Sequence, residues 1–187
     1  MLGKYNSIIY NDTANAPGIS VSVYLQGCPH KCESCFNPET WDFNAGEKFT
    51  IEILSDIFNN KINANGIKRN LCILGGEPLA SQNLLSTMHL VKAAEMTKTP
   101  CYIWTGYLYE DLLEKAKTNA TIALILGTAD FLIDGPFKLD ERDITLKMRG
   151  SRNQRIWDLK NKIDITNNFW YNNIKELKNY GYDFIWI

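Results

Sequence analysis

Three cysteines fall within eight residues in the segment Gly27-Cys28-Pro29-His30-Lys31-Cys32-Glu33-Ser34-Cys35-Phe36-Asn37. Thiolates this close in sequence can close on one metal centre without help from distant parts of the chain. Thiolate is a soft donor and suits zinc or an iron–sulfur cluster. Structural zinc usually takes four ligands in two pairs. No fourth Cys or His stands at zinc spacing, and His30, inside the loop, points a poor way for a tetrahedral cage. A 4Fe–4S cluster held by Cys28, Cys32 and Cys35 would leave one iron open for a substrate, whereas electron carriers usually ligate every iron with cysteine. Spacing alone favours iron–sulfur, with a structural zinc-binding interaction module or inert thiols as the alternatives.

Other chemistry-bearing segments follow short apolar runs. Leu74-Gly75-Gly76-Glu77-Pro78-Leu79 places two glycines where backbone can approach a ligand closely. Alone it is also an ordinary tight turn. Trp104-Thr105-Gly106-Tyr107 reads equally as a core Trp with a turn or as part of a site. Asp134, in Asp134-Gly135-Pro136-Phe137, is suited to accept hydrogen bonds from a ribose or to hold a turn. Arg149-Gly150-Ser151-Arg152-Asn153-Gln154 is a polar loop whose Arg149 could meet a carboxylate, a cofactor or a partner. Cys72 and Cys101 lie in apolar runs and read as core. His89 reads as a surface or half-buried helical residue.

The elements that position these groups alternate. Ile19 to Leu25, Leu71 to Leu74, Cys101 to Trp104 and Ala129 to Ile133 read as strands, and Arg155 to Leu159 as a last one. Thr50 to Ile62, Ser81 to Met96 and Leu108 to Lys117 read as helices, with Thr50 as a cap. Ile122 to Leu126 is ambiguous between helix and strand. Alternation implies an α/β fold with parallel strands and crossover helices, here a partial β/α barrel with its loops gathered at the carboxyl ends of the strands. Residues 1–159 form the expected domain. Residues 160–187 read as an extension packed on it, with a helix near Trp170 to Tyr180. The chain has 187 residues, 20 basic and 21 acidic, so no strong field draws nucleic acid or a membrane. The amino terminus lacks the basic and apolar regions of a signal peptide, and no apolar run approaches the roughly 20 residues that span a bilayer. Five cysteines, an odd number, argue against a disulfide framework. A cytoplasmic location is expected, where thiols stay reduced.

The cysteine spacing resembles that of the radical S-adenosylmethionine superfamily. The longer string Gly27 to Lys31, Cys32, Cys35 and Phe36-Asn37-Pro38-Glu39-Thr40-Trp41 resembles the activating enzymes of anaerobic (class III) ribonucleotide reductase. Trp104-Thr105-Gly106-Tyr107 and the Arg149 to Gln154 loop resemble the same group, and Asn15-Ala16-Pro17-Gly18 loosely matches its Asn-Gly-Pro-Gly turn. Ser34 stands where that group usually has Gly and most of the superfamily an aromatic; the aromatic here is Phe36. The resemblance implies a 4Fe–4S cluster on Cys28, Cys32 and Cys35 and S-adenosylmethionine at its open iron. Gly76 and Glu77 would meet the amino group, and Ser34, Cys35, Phe36, Gly75, Trp104, Asp134 and Arg149 would complete the cofactor site. It further implies a flavodoxin or ferredoxin as electron donor and a glycine Cα of the anaerobic reductase as substrate. Other glycyl-radical activases and small-molecule radical enzymes share this chemistry. Activases of the former kind often insert a domain with extra Cys pairs, which is missing from this sequence.

Overall fold

The computed structural model describes residues 2–167. Eight strands form one sheet: β1 (Lys4–Asp12), β2 (Ser20–Leu25), β3 (Glu47–Lys48), β4 (Asn70–Gly75), β5 (Cys101–Trp104), β6 (Phe131–Asp134), β7 (Arg155–Asp158) and β8 (Ile163–Asp164). Their spatial order is β3-β1-β2-β4-β5-β6-β7-β8. The central four, β2, β4, β5 and β6, are parallel. Both flanks are antiparallel. The fold is therefore α/β on a mixed sheet, and the all-parallel expectation is corrected at its edges. The cause is the connections. A parallel pair needs a crossover long enough for a helix. Residues 13–19 join β1 to β2 directly, and residues 135–154 hold only a single 3-10 turn at Leu139–Glu141.

Four helices supply the crossovers: α1 (Ile51–Asp56), α2 (Leu84–Thr97), α3 (Tyr109–Ala116) and α4 (Ala120–Thr128). Thr50 caps α1 as expected, its Oγ1 accepting from Ile53 N–H at 3.3 Å. Beyond Asp56 the chain widens into a π-type turn at Ile57–Lys61. The ambiguous run at Ile122 belongs to α4. Asn119 starts that helix by accepting from the Thr121 and Ile122 amides at 3.0 and 3.2 Å.

All four helices pack on one face of the sheet. Val21, Val23, Leu71, Ile73, Ile103 and Leu132 meet Leu90, Val91, Leu112 and Ile125 there. The other face carries Tyr24, Cys72, Leu74, Tyr102, Trp104, Ile133 and Ile156, covered by Ala16, Met148 and Ile165. Strands buried on both faces explain the unbroken apolar runs of β4 and β5. β8 extends the sheet past residue 159, and Ile165 is buried beside Ile156. The helix expected near Trp170 lies outside the described residues. No helix among the described residues is long and apolar enough to cross a membrane.

Candidate metal centre and cofactor site

The parallel strands end together at Leu25, Gly75, Trp104 and Asp134. The loops that follow wall a cavity of about 470 Å³. The loop after β2 closes on itself first: Gly27 N–H donates to Thr40 O at 2.7 Å, and Cys28 N–H to Trp41 O at 3.1 Å. The buried Gln26 amide donates to Glu39 O at 2.9 Å and Asp42 O at 2.8 Å. Between the cysteines the backbone turns through left-handed conformations at Lys31 (φ 49°) and Ser34 (φ 55°). Few L-residues adopt these readily, which gives glycine a physical reason to stand at the Ser34 position.

Cys28, Cys32 and Cys35 are half-buried free thiols on the wall of that one cavity. Burial pushes the Cys28 and Cys32 thiols up. Backbone amides oppose it: those of His30 and Lys31 act on Cys28, and that of Phe137 on Cys32. Asn37 N–H donates to Cys35 Sγ at 3.4 Å. Amides aimed at sulfur favour the thiolate that a metal requires and tune a cluster's potential. Among the described residues no three His, Cys, Asp or Glu side chains gather around a single ion position. A cluster offers each thiol its own iron, and three separate soft donors on one wall fit that demand.

Gly75 and Gly76 bring β4's end against this loop. Gly75 has φ +98°, and a Cβ there would lie 2.8 Å from Tyr24 Cα. A Cβ on Gly76 would lie 2.4 Å from Gly27 O. Glu77 N–H donates to that same oxygen at 2.9 Å. The Glu77 side chain is 1% exposed. Its Oε1 accepts from Leu79 N–H and the Thr105 hydroxyl, both at 2.8 Å. Its Oε2 accepts from Gly106 N–H at 2.8 Å and meets His30 Nε2 at 2.9 Å.

Trp104 Nε1 donates to Met148 O at 2.8 Å, which fastens the loop after β6 over the cavity. Within that loop, Gln154 Oε1 accepts from Gly150 and Ser151 amides at 2.8 and 3.2 Å. The closed turn brings Arg149 to the cavity wall, where Nη1 donates to Gln154 O at 3.0 Å. Burial lowers the Arg149 pKa against the opposing pull of Asp164 and Asp143. Phe36, 54% exposed, sits edge-on to Phe137 with centroids 5.1 Å apart.

The sequence matches a protein family described as a 4Fe-4S single cluster domain over residues 14–157. It is 34% identical over 160 residues to the anaerobic ribonucleoside-triphosphate reductase-activating protein of Escherichia coli (strain K12), across 84% of this chain and 99% of that one. The protein of that name from Salmonella typhi is 32% identical over 163 residues, with the same coverage. That from Enterobacteria phage T4 is 32% identical over 158 residues, across 82% and 93%. The chain belongs to this family of activating proteins.

The span matched by the 4Fe-4S single cluster domain, residues 14–157, runs from the residues before β2 into β7, so it takes in the whole cavity wall. Cys28, Cys32, Cys35, Phe36, Gly75, Gly76, Glu77, Trp104 and Arg149 all stand on that wall. Two expected cofactor residues do not. Ser34 is exposed and stands in the left-handed turn. Asp134 is 0% exposed. Its oxygens accept from Tyr109 N–H at 2.8 Å and from Arg155, whose Nε is 3.0 Å away. Arg155 also forks onto Glu110 at 2.9 and 2.7 Å. Asp134 thus has partners inside the fold, which supports the turn-holding alternative of its sequence reading.

Sequence reasoning passed over Asn83, 1% exposed, which donates to the carbonyls of Gln26, Gly27 and Glu77 at 3.1, 3.3 and 2.9 Å. It also passed over His30 as a tie and Thr105 as its counterpart. The available signal was a polar residue beside an apolar run, as at Gln26 and Asn83.

Proposed function

We propose that the chain is a radical S-adenosylmethionine enzyme that activates an anaerobic ribonucleoside-triphosphate reductase by creating a glycyl radical on it. The observation that carries this reading is one cavity walled both by Cys28, Cys32 and Cys35 and by the Gly75-Gly76-Glu77 turn. The three cysteines would hold three irons of a 4Fe–4S cluster and leave the fourth for the amino and carboxylate groups of S-adenosylmethionine. When bound, the pair supplies reductive cleavage of the sulfonium S–C5′ bond and a 5′-deoxyadenosyl radical able to take hydrogen from a glycine Cα.

The chain's own residues bind, orient and exclude water. Gly75 and Gly76 let backbone come close to the cofactor. Trp104 and Phe36 offer apolar cover, and Arg149 offers a guanidinium to a carboxylate. No general acid or base is needed, which agrees with a wall whose His30 is tied to Glu77. Helices on one face of a sheet whose four central strands are parallel support the reading of a partial β/α barrel over residues 1–159, with 160–187 as its extension. An inner face left open at the side suits a substrate that is a loop of another protein. A flavodoxin or ferredoxin in the cytoplasm is the proposed electron source.

The test is anaerobic reconstitution with iron and sulfide. The expected product is brown, with about four irons per chain, and forms 5′-deoxyadenosine when reductant and S-adenosylmethionine are added. It then raises a glycyl-radical signal on the reductase. A colourless zinc protein that makes no 5′-deoxyadenosine would reject the proposal.

A further inference from the structure

His30 lies between two cluster-loop cysteines, yet the chemistry above does not use it. Its Nε2 is 2.9 Å from Glu77 Oε2. A carboxylate only accepts, so Nε2 carries the hydrogen. The His30 side chain is 19% exposed and that of Glu77 1%, which keeps most water from competing for the bond. The ring stands edge-on to Tyr107, centroids 4.6 Å apart. Gly106 gives it clearance, because a Cβ there would lie 2.5 Å from His30 Cδ2. Thr105 holds the other oxygen of the same carboxylate, and Gly106 N–H shares Oε2 with the ring. One buried group thus joins the cysteine loop, the Gly75-Gly76 turn and the loop after β5.

We propose that His30 is a positioning residue: through Glu77 it fixes the Cys28–Cys32 turn against the Gly75-Gly76 backbone, so that the open metal corner faces the cofactor. This deepens the reading above and rests on it. The base of the loop has other ties, from Glu77 N–H and Asn83 to Gly27 O. The tip that carries Cys32 meets the Phe137 amide and ring on one side, and its tie to the Gly75-Gly76 side is His30. Its loss therefore loosens the tip and leaves the base in place.

The experiment compares His30→Ala and His30→Gln in the full chain. Glutamine places an amide donor near the site of Nε2 and restores the bond to Glu77. In the metal-free chain, amide hydrogen exchange over residues 28–35 should quicken about tenfold in His30→Ala and stay within about threefold of the parent in His30→Gln. After reconstitution, iron content should hold in both variants. S-adenosylmethionine affinity, read from its effect on the electron paramagnetic resonance of the reduced cluster, should fall about tenfold in His30→Ala and recover in His30→Gln. Unchanged exchange and affinity in His30→Ala would overturn the proposal. So would loss of iron from His30→Gln, which would make His30 a ligand. A parent protein that holds its cluster but neither binds nor cleaves S-adenosylmethionine would sink the functional reading alone, since the metal-free exchange still decides the latch.

Discussion

Replacing Gly76 with Ala tests whether the cysteine loop and the end of β4 form one rigid joint. Gly76 does not have positive φ, so alanine is conformationally acceptable there and the effect is purely steric. The new Cβ would lie 2.4 Å from Gly27 O, 2.9 Å from Gly27 C and 3.0 Å from Gly27 N. All three are backbone atoms, so no rotamer change relieves the contact. The two segments must part by about 1 Å to reach ordinary van der Waals separation. That movement breaks the 2.9 Å bond from Glu77 N–H to Gly27 O. Losing it costs about 1 kcal/mol. Overpacking against fixed backbone costs about 1–3 kcal/mol more. The expected destabilisation is about 2–4 kcal/mol, from urea unfolding of the metal-free chain. The same displacement moves Cys28 away from the turn, so iron retained after reconstitution should drop as well. Gly127→Ala is the control. It lies inside α4 with open space around it, and alanine there should stabilise by about 0.5–1 kcal/mol. A Gly76→Ala protein that unfolds at the parent's urea concentration and holds the parent's iron would show that this contact does not organise the site.

Asp134→Asn should destabilise by about 2–3 kcal/mol in urea unfolding, because it uncouples a buried carboxylate from Arg155, which keeps Glu110. Normal stability with lost S-adenosylmethionine cleavage would return Asp134 to the cofactor. Iodoacetamide at mildly alkaline pH should label Cys28, Cys32 and Cys35 in the native metal-free chain, as mass spectrometry of peptides can show. It should spare Cys101, which is 2% exposed, and Cys72, whose thiol burial pushes up to about 12. Urea should open both. Hydrogen bonding to Arg155 holds the Glu110 carboxyl below its usual range. Its contribution is therefore complete above the unfolded value of about 4.3 and fades as pH falls through the folded one. The stability gap between the parent and Glu110→Gln should be under about 1 kcal/mol at neutral pH, since the pair is exposed, and should close in acid. A gap that widens in acid contradicts the pairing.

The central sheet was legible because β4 and β5 are covered on both faces, which leaves apolar runs that few other structures explain. β1 was not. Lys4–Asp12 is an outer strand whose mixed burial removes any clean alternation. The direction of β7 was also hidden. Arg155–Asp158 reads as a strand either way, and only the helix-poor connection from β6 makes it antiparallel. At the site, the motifs themselves were readable because each is a local string at a strand end. Their partners were not. His30 and Glu77 are 47 residues apart, and Arg155 meets Asp134 across 21. Such pairings belong to the folded sheet and leave no periodic trace in the chain.

Two carboxylates make the difference concrete. Glu77 follows β4 and Asp134 ends β6, both are buried, and both come with a glycine and a proline nearby. Sequence offers no reason to separate them. Their partners do. Asp134 faces Arg155, a permanent cation in a planar fork, so its charge is met locally and its oxygens are used. Glu77 receives one imidazole and three neutral donors. Its charge is spread over hydrogen bonds without a fixed cation against it, and it stands on the cavity wall. A charge buried at a cavity surface attracts a cation through its field without direct contact. S-adenosylmethionine carries a sulfonium and an ammonium. In the proposed function Glu77 can thus hold three loops together and favour a cationic ligand at once. Asp134 lies beneath the loops with its charge met by Arg155.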